Sequence, residues 1–150
     1  FIARRQYDEV VFEQKQQQQE LQKCALPFNE WVTFGMIRIY LGELALCDDT
    51  FLQKYQPHYF ESSAVEFPLH VRIPKQGDRI SLKGMQHKKK VSRIFIDDKI
   101  PFVKRANWPL LVDTNDEPLA LLAVRVNNKF SNVQSTKHDY VLIVESDERF

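Results

Sequence analysis

Glycine is scarce in this 150-residue chain. Gly35, Gly42, Gly77 and Gly84 are all there are, and no two lie closer than seven residues apart. A loop that wraps a phosphate in backbone N–H groups needs glycines close together, because side chains would block the approach. A P-loop and a dinucleotide fingerprint are therefore excluded, and no Gly-x-Ser-x-Gly elbow is present. Cysteine is equally sparse. Cys24 and Cys47 make no disulfide framework, which fits a reducing, cytoplasmic setting. His58, His70, His87 and His138 are far apart and show no zinc-ligand spacing, so no metal site is expected. No apolar run approaches the roughly 20 residues of a membrane helix, and no basic-then-apolar leader opens the sequence. The chain begins with Phe1, not Met, and is expected to be a piece of a longer protein. Asp97-Asp98 is a carboxylate pair, but adjacent helical residues point in different directions and cannot work as an acid/base couple. A helix-end role, or an ion pair of Asp97 with Arg93, is expected instead. No catalytic residue stands out.

Charge, by contrast, is abundant and unevenly placed. The formal net charge is only +1. Yet residues 71–108 hold eleven bases (Arg72, Lys75, Arg79, Lys83, Lys88, Lys89, Lys90, Arg93, Lys99, Lys104 and Arg105) against three acids, Asp78, Asp97 and Asp98. The remainder holds ten bases and seventeen acids. A basic segment in acidic surroundings concentrates positive potential and suits a polyanion such as nucleic acid.

Residues 5–13 read as a strand, and the glutamine-rich 14–20 as a solvated loop. A short helix from Glu20 would end at Pro27. "EWVTFGMIRIYLGELAL" (30–46) places Ile37, Ile39 and Leu41 at period 2. It predicts two strands joined at Phe34-Gly35 or one bulged strand. Asp48, Asp49 and Thr50 are good caps for a short helix ending before Pro57. Strands are expected at 67–74, 79–82, 108–113, 118–126 and 140–145, with a helix over 88–99 and a helical turn after Pro101. In 67–74, Leu69, Val71 and Ile73 would face inward and Arg72 outward. The fold class is β-rich α+β, with a division near 58–67 into segments 1–62 and 63–150.

The candidate site is the basic segment. Lys88, Lys89, Lys90 and Arg93, read as the first turns of a helix, would meet phosphates together with the helix N-terminus; Arg79, Lys83, Lys104 and Arg105 would widen the track. Cations at a helix N-terminus are mildly unfavourable unless an anion joins them. Trp108 and Phe102 stand beside Lys104 and Arg105, where an aromatic can stack on an unpaired base. Phe102 reads as core, and Trp108 is open to either role.

"QGDRISLKG" followed by "KKKVSRIFIDDKIPFVKRANWPLLVD" resembles the C-terminal domain of the tRNA(Ile)-lysidine synthetase family. The shared elements are Gly77-Asp78-Arg79, Gly84, Lys89-Lys90-Val91, Phe95-Ile96-Asp97, Lys99-Ile100-Pro101, Arg105 and Trp108 through Asp113. "VRVNNKFS" (124–131) resembles the tail of Gram-positive members. One departure is Leu121-Leu122-Ala123, where members often have a Pro-Gly turn. The resemblance implies a layered β-sandwich with short helices, related to a module of the phenylalanyl-tRNA synthetase β subunit. It implies a tRNA-binding region of a larger ligase that uses ATP and Mg²⁺, held in an N-terminal catalytic domain of the same chain, to attach lysine to the wobble cytidine. This segment would then carry no cofactor of its own. The partner would be tRNA(Ile). A protein-interaction role, with the catalytic domain or with a second copy as a homodimer, is the alternative.

Overall fold

Alternation in "IRIYLGE" builds the first half of the core. The computed structural model describes residues 22–146. The strand at 5–13 and the loop at 14–20 lie outside them. β1 (Cys24–Ala25) is extended where a helix was expected. β2 (Glu30–Phe34) and β3 (Ile37–Glu43) form a hairpin closed by Gly35-Met36, with Gly35 at φ 61°. A positive φ costs glycine nothing, so the two-strand alternative holds. Ile37, Ile39 and Leu41 enter the main core, while Tyr40 enters a smaller cluster on the opposite face.

That second face is covered by α1 (Asp49–Tyr55). Asp48 caps it by accepting from the Phe51 N–H at 2.8 Å. Gln56 ends it at φ 50°, ahead of Pro57. Leu52 packs there with Tyr40, Tyr59, Val141 and Ile143. β4 (His58–Phe60) follows, then β5 (His70–Arg72), β6 (Arg79–Ile80) and β7 (Lys89–Lys90). α2 (Val91–Asp97) buries Val91, Ile94 and Phe95, and α3 (Phe102–Arg105) is a single exposed turn. β8 (Leu110–Val112), β9 (Pro118–Leu121), β10 (Arg125–Val126) and β11 (Tyr140–Ser146) complete the described chain.

The strands form a five-stranded sheet, β1-β5-β8-β9-β10, a four-stranded sheet, β2-β3-β11-β4, and the small ribbon β6-β7. Both larger sheets feed one core, joining Phe34, Ile39 and Leu142 to Val71, Leu111 and Leu121. This is the β-rich layered arrangement that was expected. All three residues of β8 are fully buried, so it is central. The expected division at 62/63 falls at the turn Ser62–Ala64. Strands from both sides of it enter both sheets: β1 pairs with β5, and β11 lies between β3 and β4.

The expected strand at 118–126 is two strands. The chain reverses at Leu122–Val124, with Ala123 at φ 64° and the Val124 N–H donating to the Leu121 carbonyl at 2.9 Å. Position 121–123 therefore turns without a Pro-Gly pair, at the steric cost of a left-handed alanine.

Gly42 is needed for space. A Cβ there would lie 2.6 Å from Tyr40 Cε1 and 2.9 Å from Asn29 Oδ1. Tyr40 is wedged between Trp31 and Phe51, at ring distances of 5.4 and 5.1 Å. Gly42→Ala is expected to cost about 1–3 kcal/mol through overpacking, read as a lower urea midpoint with an unchanged slope.

Candidate nucleic-acid interface

The basic segment is anchored by a residue that the alternation of 67–74 had pointed outward. Arg72 is 7% exposed, whereas Ile73 is 39% exposed. Its guanidinium donates twice to Asp78, at 2.8 and 2.9 Å, once to Asp116 at 2.8 Å, and once to the Ile73 carbonyl at 3.0 Å. Asp78 also accepts from the Lys75 N–H at 2.7 Å, and its carbonyl accepts from the Val91 N–H at 2.9 Å. One buried aspartate thus fixes the turn before β6 through its carboxylate and the entry to α2 through its backbone carbonyl. Arg72 is a structural cation and is unavailable to a ligand.

Asp113, buried at the end of β8, accepts from the N–H groups of Asn115 and Glu117 at 2.8 and 2.9 Å. That turn presents two acids to the basic segment. Asp116 takes Arg72, Lys75 at 2.6 Å and Lys23 at 3.3 Å. Glu117 takes Lys88 at 3.0 Å. Partial burial alone would raise the Asp116 carboxyl. The hydrogen bonds from Lys75, Arg72 and Lys23 outweigh it and hold the group well below the usual carboxylate range.

The lysine run is not helical. Lys89 and Lys90 form β7, and Lys90 is only the N-cap of the seven-residue α2. Strand geometry sends the two in opposite directions. Lys89 stands opposite buried Ile80, is 20% exposed and pairs with Asp97 at 2.6 Å. Lys90 stands opposite Arg79, and both are exposed. Arg93, three residues on, is 65% exposed and holds Asp97 at 3.3 Å, as expected. The Asp97 carboxyl is lowered, chiefly by its hydrogen bond from Lys89. Asp98 points elsewhere, to Arg125 in a two-pronged pair at 2.8 Å. Arg125 carries no weight in the sequence pattern, and only the fold brings it here. Lys83, Lys89 and Arg125 line one cleft of about 520 Å³ together with His58 and Asn132, and no carboxylate among the described residues lines it.

The structure therefore brings Arg79 and Lys90 together on one exposed rung; Arg93, exposed one turn on, shares Asp97 with Lys89. Lys83 is exposed beside the cleft, and Lys104 and Arg105 lie on α3. Arg79, Lys83 and Lys90 have no acid partner among the described residues. Lys88 and Lys89 are tied to acids.

Of the two aromatics, Trp108, open to either role in the sequence, is core, and Phe102, expected in the core, is exposed. Trp108 is 6% exposed; it donates Nε1–H to the Leu122 carbonyl at 2.8 Å and meets Phe95 edge to face at 6.4 Å. A base cannot reach its face, which corrects its place among the RNA-contacting residues. Phe102 is 81% exposed and Val103 85%. The signal was present in the sequence: positions three and four beyond Phe102 are Arg105 and Ala106, so no apolar stripe continues from it.

The family model of the TilS substrate C-terminal domain matches residues 69–142. A tRNA(Ile)-lysidine synthase from Shouchella clausii is 47% identical over 78 residues, which are 50% of this chain and 17% of that protein. One from Bacillus subtilis is 55% identical over 53 residues, 35% of this chain and 11% of that protein. The match thus spans about a sixth or less of these relatives' length. A solved structure described as the crystal structure of the TILS C-terminal domain shares the fold, with a TM-score of 0.67 at 22% identity. The likeness covers 85% of this chain and all of that one.

Two outcomes are expected. Asp78→Ala leaves the buried Arg72 guanidinium without its main partner and should cost about 3–5 kcal/mol, measured by urea denaturation. The Asp116 carboxyl is depressed in the folded state, so its contribution is complete above the unfolded carboxyl range. It is lost as pH falls from about 5 towards the folded value. Asp116→Asn should flatten the fall in melting temperature between about pH 5 and pH 2.

Proposed function

We propose that this chain, whose residues 69–142 match the family model of the TilS substrate C-terminal domain, is the tRNA-binding C-terminal region of a tRNA(Ile)-lysidine synthase. The observation that supports it best is the placement of Arg79 directly opposite Lys90, with Arg93 one turn on. Like charges opposed across a ribbon repel, and a cation in the first turn of a helix adds a few tenths of a kcal/mol more. The penalty is small in water, and a phosphate between the groups reverses its sign. A-form RNA offers chiefly phosphates, 2′-hydroxyls and shape, so a surface of point charges and forks suffices without base reading.

On this reading the inner cations hold the fold and the outer ones hold RNA. Lysine transfer, with ATP and Mg²⁺, belongs to a catalytic domain elsewhere in the parent enzyme, in the cytoplasm. Among the described residues no helix is long and apolar enough to cross a membrane. No group of three or more His, Cys, Asp or Glu there could hold a metal.

Filter binding to a tRNA(Ile) transcript across a salt series tests the reading. The triple variant Arg79→Ala, Lys90→Ala, Arg93→Ala should keep its fold by circular dichroism, bind more weakly, and lower the slope of log K against log salt by about 2–3, near one per lost phosphate contact. The double variant Lys88→Ala, Glu117→Ala, which removes a pair and no net charge, should leave the slope close to wild type. An unchanged slope in the triple variant sinks the assignment.

A further inference from the structure

We propose that Phe102, backed by Arg105, is a stacking platform for one unpaired RNA base; the inference rests on the RNA-binding reading above. The tip of α3 carries two adjacent apolar residues that are almost fully exposed, Phe102 at 81% and Val103 at 85%.

Phe102 is not a bare apolar knob. The Arg105 guanidinium lies 5.6 Å from its ring centroid and 6.0 Å from that of Phe95. Arg105 Nε–H donates to the Ile100 carbonyl at 2.9 Å, which fixes the planar group in place. The result is an exposed aromatic ring with a held guanidinium over it, a combination on which nucleobases stack. No acid occurs between Asp98 and Asp113, while Lys99, Lys104 and Arg105 do. That charge favours an anionic occupant, and a single RNA strand supplies both the anionic phosphates and the π-face that the ring calls for. Each ring of a duplex interior is already stacked, so the occupant is a base outside the paired stem.

The test uses the whole chain and two RNA probes, a short hairpin with a single-stranded 3′ extension and the same hairpin cut blunt. Wild type should prefer the extended hairpin. Phe102→Ala should weaken that complex roughly 5- to 150-fold, the range of one base on one aromatic. Its salt slope should not change, because no phosphate contact is lost. Phe102→Trp should retain binding, whereas Phe102→Leu, apolar but without a π-face, should bind as weakly as Ala. Since the side chain is exposed, none of these variants should alter the melting temperature.

Wild-type binding that Phe102→Ala leaves unaltered overturns the platform and spares the RNA-binding reading. Full rescue by Leu overturns stacking in favour of a plain apolar contact. A loss of self-association on sedimentation, with RNA binding intact, makes the tip a contact between copies and overturns the inference. If wild type binds neither probe nor the tRNA transcript, the RNA-binding reading itself falls, and this inference with it.

Discussion

The guanidinium of Arg72, held between Asp78 and Asp116, is the constraint on which the basic half of the molecule depends. Removing a guanidinium and a carboxylate from water costs several kcal/mol per ion. That cost is offset only when the remaining donors and lone pairs are also met. Here they are: Asp78 takes two guanidinium bonds and the Lys75 N–H, and Arg72 also reaches Asp116 and the Ile73 carbonyl. The network ties β5 to the turn before β6 and to the turn between β8 and β9. The Asp78 carbonyl then receives the first N–H of α2. Residues that carry the candidate RNA surface are positioned by a cluster that never touches it.

This arrangement sorts the cations by whether a carboxylate reaches them. Carboxylates outside the basic segment, Asp116 and Glu117, reach in and neutralise Arg72, Lys75 and Lys88. Asp97 and Asp98 take Lys89 and Arg125. The excess of eight in the sequence is therefore not a uniform field. What stays outward without an acid among the described residues is the Arg79–Lys90 rung, while Arg93 is exposed but shares Asp97 with Lys89. In Gly77-Asp78-Arg79, one residue turns the chain, the next anchors it, and the third faces solvent.

Chain order and spatial order also part company in the four-stranded sheet. β11 runs beside β3 for seven residues and beside β4 for three, so the last described strand lies inside a sheet begun by β2 and β3. The family match begins at residue 69, whereas the fold likeness covers 85% of the chain. The matched segment ends in a strand that needs residues 37–60 for its hydrogen bonds.

Much of the fold was legible in local pattern. Ile37, Ile39 and Leu41 reported their shared face through period 2, Asp48 its cap, and Val91, Ile94 and Phe95 the buried side of α2. Each depends on neighbours within about four residues. The ordered run from Gly77 to Asp113 carried the family likeness, and the surplus of bases carried the candidate site. Tertiary structure alone decided which bases are internal, since Arg72 meets a carboxylate 44 positions away. It also decided that Trp108 is inside and Phe102 outside, and that β11 lies between β3 and β4. The physical reason is that burial of a charge or a ring is set by what the fold brings to it from afar, and periodicity along the chain holds no record of that.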